Sequence, residues 1–174
     1  SDLIDSNMDI KNTSNLLINF IIKRLAEIFG IIISICGILL FASLLTYSPE
    51  DPNFIFPDNT EINNILGFHG SFISDFFFQS LGFISFLFSL TLIFTGFNIL
   101  KTKEFFLIIE NIFFSIIYLI LGSLFLAHFY TDAFNLYING NGGFVGFYLN
   151  QTFLNSLISI NKSISYYMLI ILII

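Results

Sequence analysis

The chain has 174 residues, of which 56% are hydrophobic and 10% charged, and its mean hydropathy is +0.88. Soluble domains carry about 25% charged residues, so this chain cannot cover a water-facing surface with polar groups, and its expected solvent is lipid. A net charge of −6 with no basic stripe excludes direct DNA binding by phosphate neutralisation, and the single cysteine, Cys36, allows neither an internal disulfide nor a Cys-based zinc site.

Residues 1–24 read as a cytoplasmic tail and juxtamembrane segment, and residues 25–174 as an all-α membrane domain. A spanning helix needs about 20 apolar residues. The first span is expected over about 25–47, the second over about 81–100 and the third over about 105–129. The run SISYYMLIILII, 163–174, reads as the start of a fourth span in which the chain is cut short. The expected architecture is four transmembrane helices arranged as two helical hairpins. The first span is too long for a signal-peptide core and is followed by no small-residue cleavage site, so it reads as a permanent anchor.

Charge sets the expected orientation. Lys11, Lys23 and Arg24 precede the first span, Lys101 and Lys103 lie in the turn between spans two and three, and only Lys162 falls on the other side. The positive-inside rule then places the N-terminus and the Lys101–Lys103 turn in the cytoplasm, with segments 48–80 and 130–162 outside.

Both outer segments contain a related stretch. GFHGSFISDFFFQSLG (67–82) aligns with GFVGFYLNQTFLNSLI (143–158), pairing Gly67 and Gly70 with Gly143 and Gly146. On a helix, Ser74, Asp75 and Gln79 share an arc of about 140°, as do Asn150, Gln151 and Asn155. This predicts short amphipathic interfacial segments before spans two and four. A straight helix from Ser71 to Leu100 would be roughly 45 Å long against a core of about 30 Å, so a bend is expected near Gly82.

Small residues recur at helical spacing: Gly30, Ser34 and Gly37 in span one, Gly82, Ser85, Ser89 and Gly96 in span two, and Ser115, Gly122 and Ser123 in span three. They are candidate packing positions where backbones approach closely, within one subunit or between subunits. Transport would need polar groups near the midplane. Glu27 is explained by a local ion pair with Lys23 or Arg24. Glu110, beside Asn111, is the candidate buried carboxylate, and His128 lies roughly 27 Å away along the same helix. No phosphate loop or His-Glu-x-x-His motif occurs.

The stretch LTYSPEDPNFIFP (45–57) holds all three prolines. Ser48 suits an N-cap, Pro49 the first helical position, and Glu50 and Asp51 the first free N–H groups; Pro52 then ends the turn. The expectation is one tight turn that stops span one, with the acidic pair on the outer face. Two carboxylates, even with Asp58 and Glu61, do not make a calcium loop.

This stop motif, Ser48-Pro49-Glu50-Asp51-Pro52 after Thr46 and Tyr47, resembles the N-terminal four-span domain of the FtsK/SpoIIIE DNA translocases. The glycine-rich entry with Asn64, Gly67 and Gly70, followed by Asp75 and Gly82, is similar to that family, as are the short basic turn and the second entry from Gly140 to Gly146. The chain departs from the family's pattern at Asn53, Phe54, Phe68 and His69, and lacks tryptophan. The resemblance implies the membrane anchor of a septal DNA translocase acting in cell division and chromosome segregation. It implies a bacterial inner membrane location, contacts with lipid and division proteins, and homo-oligomers. No chemistry, cofactor or metal belongs to this segment; ATP and Mg are expected only for a motor outside it. A small transporter or channel subunit and a membrane scaffold stay open as alternatives.

Overall fold

In the computed structural model, residues 2–52, 61–131 and 139–174 are described, with side chains from residue 13 onward. The expectations on Asn53, Phe54, Pro57 and Asp58 lie outside those residues. Every described element is helical: α1 Asp2–Leu45, α2 Gly67–Leu81, a 3-10 turn Gly82–Ile84, α3 Ser85–Thr102, α4 Phe106–Phe129, α5 Gly143–Asn150, α6 Phe153–Ile160 and α7 Lys162–Ile173. Among the described residues, three stretches are long and apolar enough to cross a bilayer, Thr13–Leu45, Gly67–Thr102 and Phe106–Phe129, and α6 with α7 would make a fourth if counted as one broken span.

Helix α1 begins far ahead of the expected boundary at residue 25. No glycine or proline interrupts it before Gly30, so nothing stops the backbone ladder from running through the tail. Its buried stripe is Ala26, Gly30, Ser34, Gly37, Leu40 and Leu44, a spacing of three and four that faces one neighbour. That neighbour is α3, running antiparallel. A Cβ on Gly30 would stand 2.9 Å from the Gly96 carbonyl oxygen, and one on Gly37 would stand 2.8 Å from the Ile93 nitrogen. A Cβ on Gly96 would lie 2.1 Å from Ser34 Oγ. Ser85 and Ser89 are fully buried. The six small residues of this stripe therefore serve packing inside the chain, which leaves them no surface to offer another subunit. In α4, Ser115 is buried and Gly122 lies under Ile84, whose Cδ1 would be 2.4 Å from an added Cβ.

The chain folds sharply between α2 and α3. Gly82 has φ +71°, and the Ser85 hydroxyl donates 3.0 Å back to the Phe77 carbonyl, eight residues earlier. A straight helix would hold those residues about 12 Å apart. Phe78 consequently packs against Phe83 and Phe86 and joins Leu40 and Leu44 in one apolar cluster. Helix α2 thus crosses the C-terminal end of α1.

The second half is built around α4. Leu124, Ile158 and Leu169 form its core, and the Tyr130 and Tyr166 hydroxyls meet at 2.8 Å. A 112° bend separates α6 from α7. Asn161 allows it by capping α7: its side chain accepts from the Ile164 N–H while its own backbone stays extended.

Candidate functional site

The polar groups of this apolar chain converge at one end of the bundle, where α1 stops. Asp51 closes a 3.3 Å turn onto Ser48, as the two flanking prolines predict. Its carboxylate does not serve that turn. It is 1% exposed and accepts from the Asn63 backbone N–H at 2.8 Å, the Asn63 side-chain amide at 3.1 Å and the Asn64 N–H at 2.9 Å. The acidic pair is therefore divided: Glu50 is exposed and Asp51 is buried. Three N–H donors satisfy Asp51 better than water at a site sealed by Pro52, itself buried.

Asn64 extends the clasp. Its side-chain amide donates to the Ser43 carbonyl at 2.9 Å, and its side-chain oxygen accepts from the Leu66 N–H at 3.1 Å. The Ser43 hydroxyl donates 2.5 Å to the Gly70 carbonyl, and the Ser71 hydroxyl donates 2.8 Å to the Pro52 carbonyl. The Tyr47 hydroxyl reaches Asp75 at 2.7 Å. Gly70 must be glycine, since a Cβ would fall 2.1 Å from Asn64 Oδ1. The stop motif and the first glycine entry are thus one hydrogen-bonded unit. Ser74 and Asp75, expected on a water-facing arc, are buried toward α1, and the exposed face of α2 carries Phe68, Ile73 and Phe76. In an apolar surround, the polar arc is satisfied by protein and the apolar arc faces outward.

The two glycine entries share one backbone turn. Gly67 and Gly143 have φ of +63° and +62°, and their N–H groups reach back to Asn64 and Gly140 carbonyls at 2.8 and 3.0 Å. They also bring the halves together. The Phe83 N–H donates 3.0 Å to the Asn141 carbonyl, and a Cβ on Gly82 would stand 1.9 Å from that same oxygen. A Cβ on Gly143 would stand 2.6 Å from the Gly82 nitrogen, and one on Gly146 would stand 2.2 Å from the Ser123 carbonyl oxygen. The Ser123 hydroxyl donates to the Leu81 carbonyl at 3.0 Å, and the Asn141 side-chain amide donates to the Tyr130 carbonyl. Ser43, Ser71 and Asn141 were not singled out in the sequence, whereas Ser123 belongs with Ser115 and Gly122 to the small residues expected at packing positions of span three. The one available signal was Ser43, which lies between Leu40 and Leu44 where the buried stripe of α1 ends.

The opposite end carries the basic groups. Glu27 accepts from Arg24 at 2.5 Å and from Lys103 at 2.7 Å. Lys103, at φ +61°, ends α3. Lys23, Arg24 and Lys101 are exposed beside them, so the residues that argued orientation gather at one end. Glu110 is exposed on the surface of the bundle and not enclosed by protein, which corrects the expectation of a buried carboxylate. Its neighbour Asn111 bonds Thr95 at 3.0 Å, and His128 bonds Asn150 at 3.1 Å. Among the described residues no cluster of three His, Cys, Asp or Glu side chains could hold a metal.

The pattern of stop turn, paired glycine entries and basic turn matches a known family along nearly the whole chain. Residues 22–174 match the model of the 4TM region of DNA translocase FtsK/SpoIIIE. The chain belongs to that family. Among curated proteins it is 31% identical over 78 residues to the DNA translocase FtsK of Rickettsia bellii (strain RML369-C), covering 45% of this chain and 10% of that protein. It is 29% identical over 87 residues to the DNA translocase FtsK of Azospirillum brasilense, covering 49% of this chain and 14% of that one. The matched region is thus a small part of these FtsK proteins' length. No solved structure matches. As a 4TM region with three to four candidate spans, the chain is a multi-pass membrane protein.

Proposed function

We infer that this chain is the membrane-anchoring and assembly domain of a septal DNA translocase that acts in cell division and chromosome segregation. The observation that carries the reading is the family match over residues 22–174, with the stop turn and both glycine entries inside the matched region. The segment does no chemistry of its own. ATP, Mg and DNA belong to a motor elsewhere in the protein, and anchoring several motors in one membrane patch raises their local concentration and favours ring assembly.

In this reading the four spans form two hairpins, α1 with α3 and α4 with α7, with α2, α5 and α6 at the outer interface. The N-terminus and the Lys101–Lys103 turn face the cytoplasm of a bacterium, across its inner membrane, because the basic residues gather there. The clasp around Asp51 faces outward, where division proteins would meet it. The contacts are lipid, copies of the same chain and those division partners.

Reading the gene beyond Ile174 tests the core of the proposal. A linker followed by Gly-x-x-x-x-Gly-Lys-Ser/Thr is the expected result, and a stop codon within a few tens of codons would overturn it. A fluorescent fusion should concentrate at mid-cell; an even distribution around the envelope would remove the septal role. Reporter fusions at Lys103 and Asn141 should report opposite sides.

A further inference from the structure

We propose that the groove between α1, α2 and α3 is a binding site for one phospholipid, which seats an acyl chain in the groove and its phosphate at His69. The inference rests on the chain's being a multi-pass membrane protein, not on the septal or motor reading. A cavity of about 450 Å³ opens where the three helices meet, within the about 300–1,000 Å³ of small-molecule sites. Cys36 and Leu40 of α1, Ile73 and Phe77 of α2, and Phe88 and Leu92 of α3 line it. The clasp keeps this space unfilled. At its back the Ser43 hydroxyl donates 2.5 Å to the Gly70 carbonyl. No larger residue can enter there, because a Cβ on Gly70 would meet Asn64 Oδ1. Helix α2 crosses the end of α1 and lays His69, Ile73 and Phe77 over the opening, a spacing of four that puts them on one face.

Depth selects the occupant. Cys36 lies eleven residues before Tyr47, about 16 Å along α1 and so about half of a 30 Å hydrocarbon core. The groove ends there because α1 and α3 close on each other, with a Cβ on Gly37 only 2.8 Å from the Ile93 nitrogen. It therefore runs from the interface at the clasp end to the midplane, the length of one leaflet. A partner's transmembrane helix would need the full thickness, about 20 residues. The rim is open to the surrounding lipid, since Leu39 and Ile73 stay exposed. An apolar cavity draws in no water, and unfilled walls forfeit their dispersion contacts; an acyl chain supplies them. His69 stands exposed at the outer end, in the first turn of α2. A ring N–H of its imidazole can donate to a phosphate oxygen, and no side chain caps that turn, so its positive end favours the same anion. One end of the groove thus suits a charged headgroup and the rest suits a hydrocarbon tail.

Native mass spectrometry of the full-length protein, taken from native membranes into mild detergent and washed of loosely held lipid, tests this. The unaltered protein should retain one phospholipid per chain. Cys36→Trp fills the inner end of the groove and should lose it, and His69→Ala should retain several-fold less. Phe94→Trp, on an exposed face of α3 outside the groove, should keep it. No phospholipid on the unaltered protein, undiminished retention by Cys36→Trp or His69→Ala, or a fatty acid or polypeptide in the phospholipid's place would overturn the site. A second measurement needs no variant. Phosphatidylglycerol added back to the delipidated protein should slow alkylation of Cys36 by N-ethylmaleimide several-fold, read on the Cys36 peptide, and an unchanged rate would overturn the site. Neither readout involves the septum or the motor, so the lipid site and the translocase assignment fail separately.

Discussion

The buried carboxylate of Asp51 accepts a 2.9 Å hydrogen bond from the backbone N–H of Asn64, thirteen residues later. One side chain thereby closes the loop neck and aims the first glycine entry at α1. Replacing Asp51 by alanine strands the buried Asn64 N–H, a loss of about 1–3 kcal/mol. The expected result is a clear drop in the thermal midpoint of the detergent-purified domain. Asp51→Asn keeps one acceptor oxygen and should fall between the two. An unchanged midpoint for Asp51→Ala would show that the clasp adds nothing.

Gly82 and Gly67 separate strain from collision. Both have positive φ, so alanine strains the backbone at each by about 1–3 kcal/mol, and more at Gly82, whose ψ of −149° lies in a region that is essentially glycine-only. An added Cβ meets nothing within 4 Å at Gly67, but would sit 1.9 Å from the Asn141 carbonyl oxygen at Gly82. Gly82→Ala should therefore destabilise the domain well beyond Gly67→Ala and weaken the contact between its halves. Limited proteolysis in the 130–142 connection would report the second effect. Equal losses for the two variants would mean that the Gly82–Asn141 approach is dispensable.

Gly96→Leu should disturb the α1–α3 packing, because even a Cβ would lie 2.1 Å from Ser34 Oγ and 2.6 Å from the Gly30 carbonyl oxygen. The expected effect is on folding of the single chain, read as lost expression or a lowered midpoint in monomeric detergent preparations. A variant that folds normally but fails to oligomerise would instead make this stripe a subunit interface.

Thr95→Val removes the acceptor of the Asn111 side-chain amide on the neighbouring helix. Hydrogen bonds between membrane helices contribute about 0.6 kcal/mol on average, so a small loss is expected. Glu110→Gln, by contrast, changes an exposed group and should leave stability and chromosome segregation unaltered. A strong segregation defect from Glu110→Gln would revive the transport reading.

The Glu27–Lys103 pair should respond to salt. Both groups reach solvent, so raising ionic strength should screen the coupling measured in a Glu27→Gln, Lys103→Gln double-mutant cycle. Coupling that persisted at high salt would point to a pair shielded by lipid or protein.

The sequence showed the spans because lipid forces long apolar runs, and it showed the bend at Gly82 because a helix through it would be too long for the membrane. It showed the glycine entries because left-handed turns and close backbone approaches demand glycine. What it hid were choices made by tertiary contact. Asp51 looked like a surface acid because adjacent carboxylates usually stay in water, whereas its partners Asn63 and Asn64 lie across a loop that no local pattern connects. Ser74 and Asp75 looked water-facing for the same reason: helical periodicity reveals a polar arc, not which side holds its partners. The helix ahead of residue 25 was not anticipated, because the sequence was read for the span alone, yet nothing in the tail breaks a helix.

The Asp51 neck also makes the stretch between its two stems a replaceable part. Pro52 is tied to Ser71 and Asp51 to Asn63 and Asn64, so both stems are fastened before residues 53–60 are reached. Doubling the length of a flexible loop costs only about 0.6 kcal/mol of closure entropy. An epitope or reporter spliced between residues 53 and 60 is therefore expected to leave the helical bundle intact.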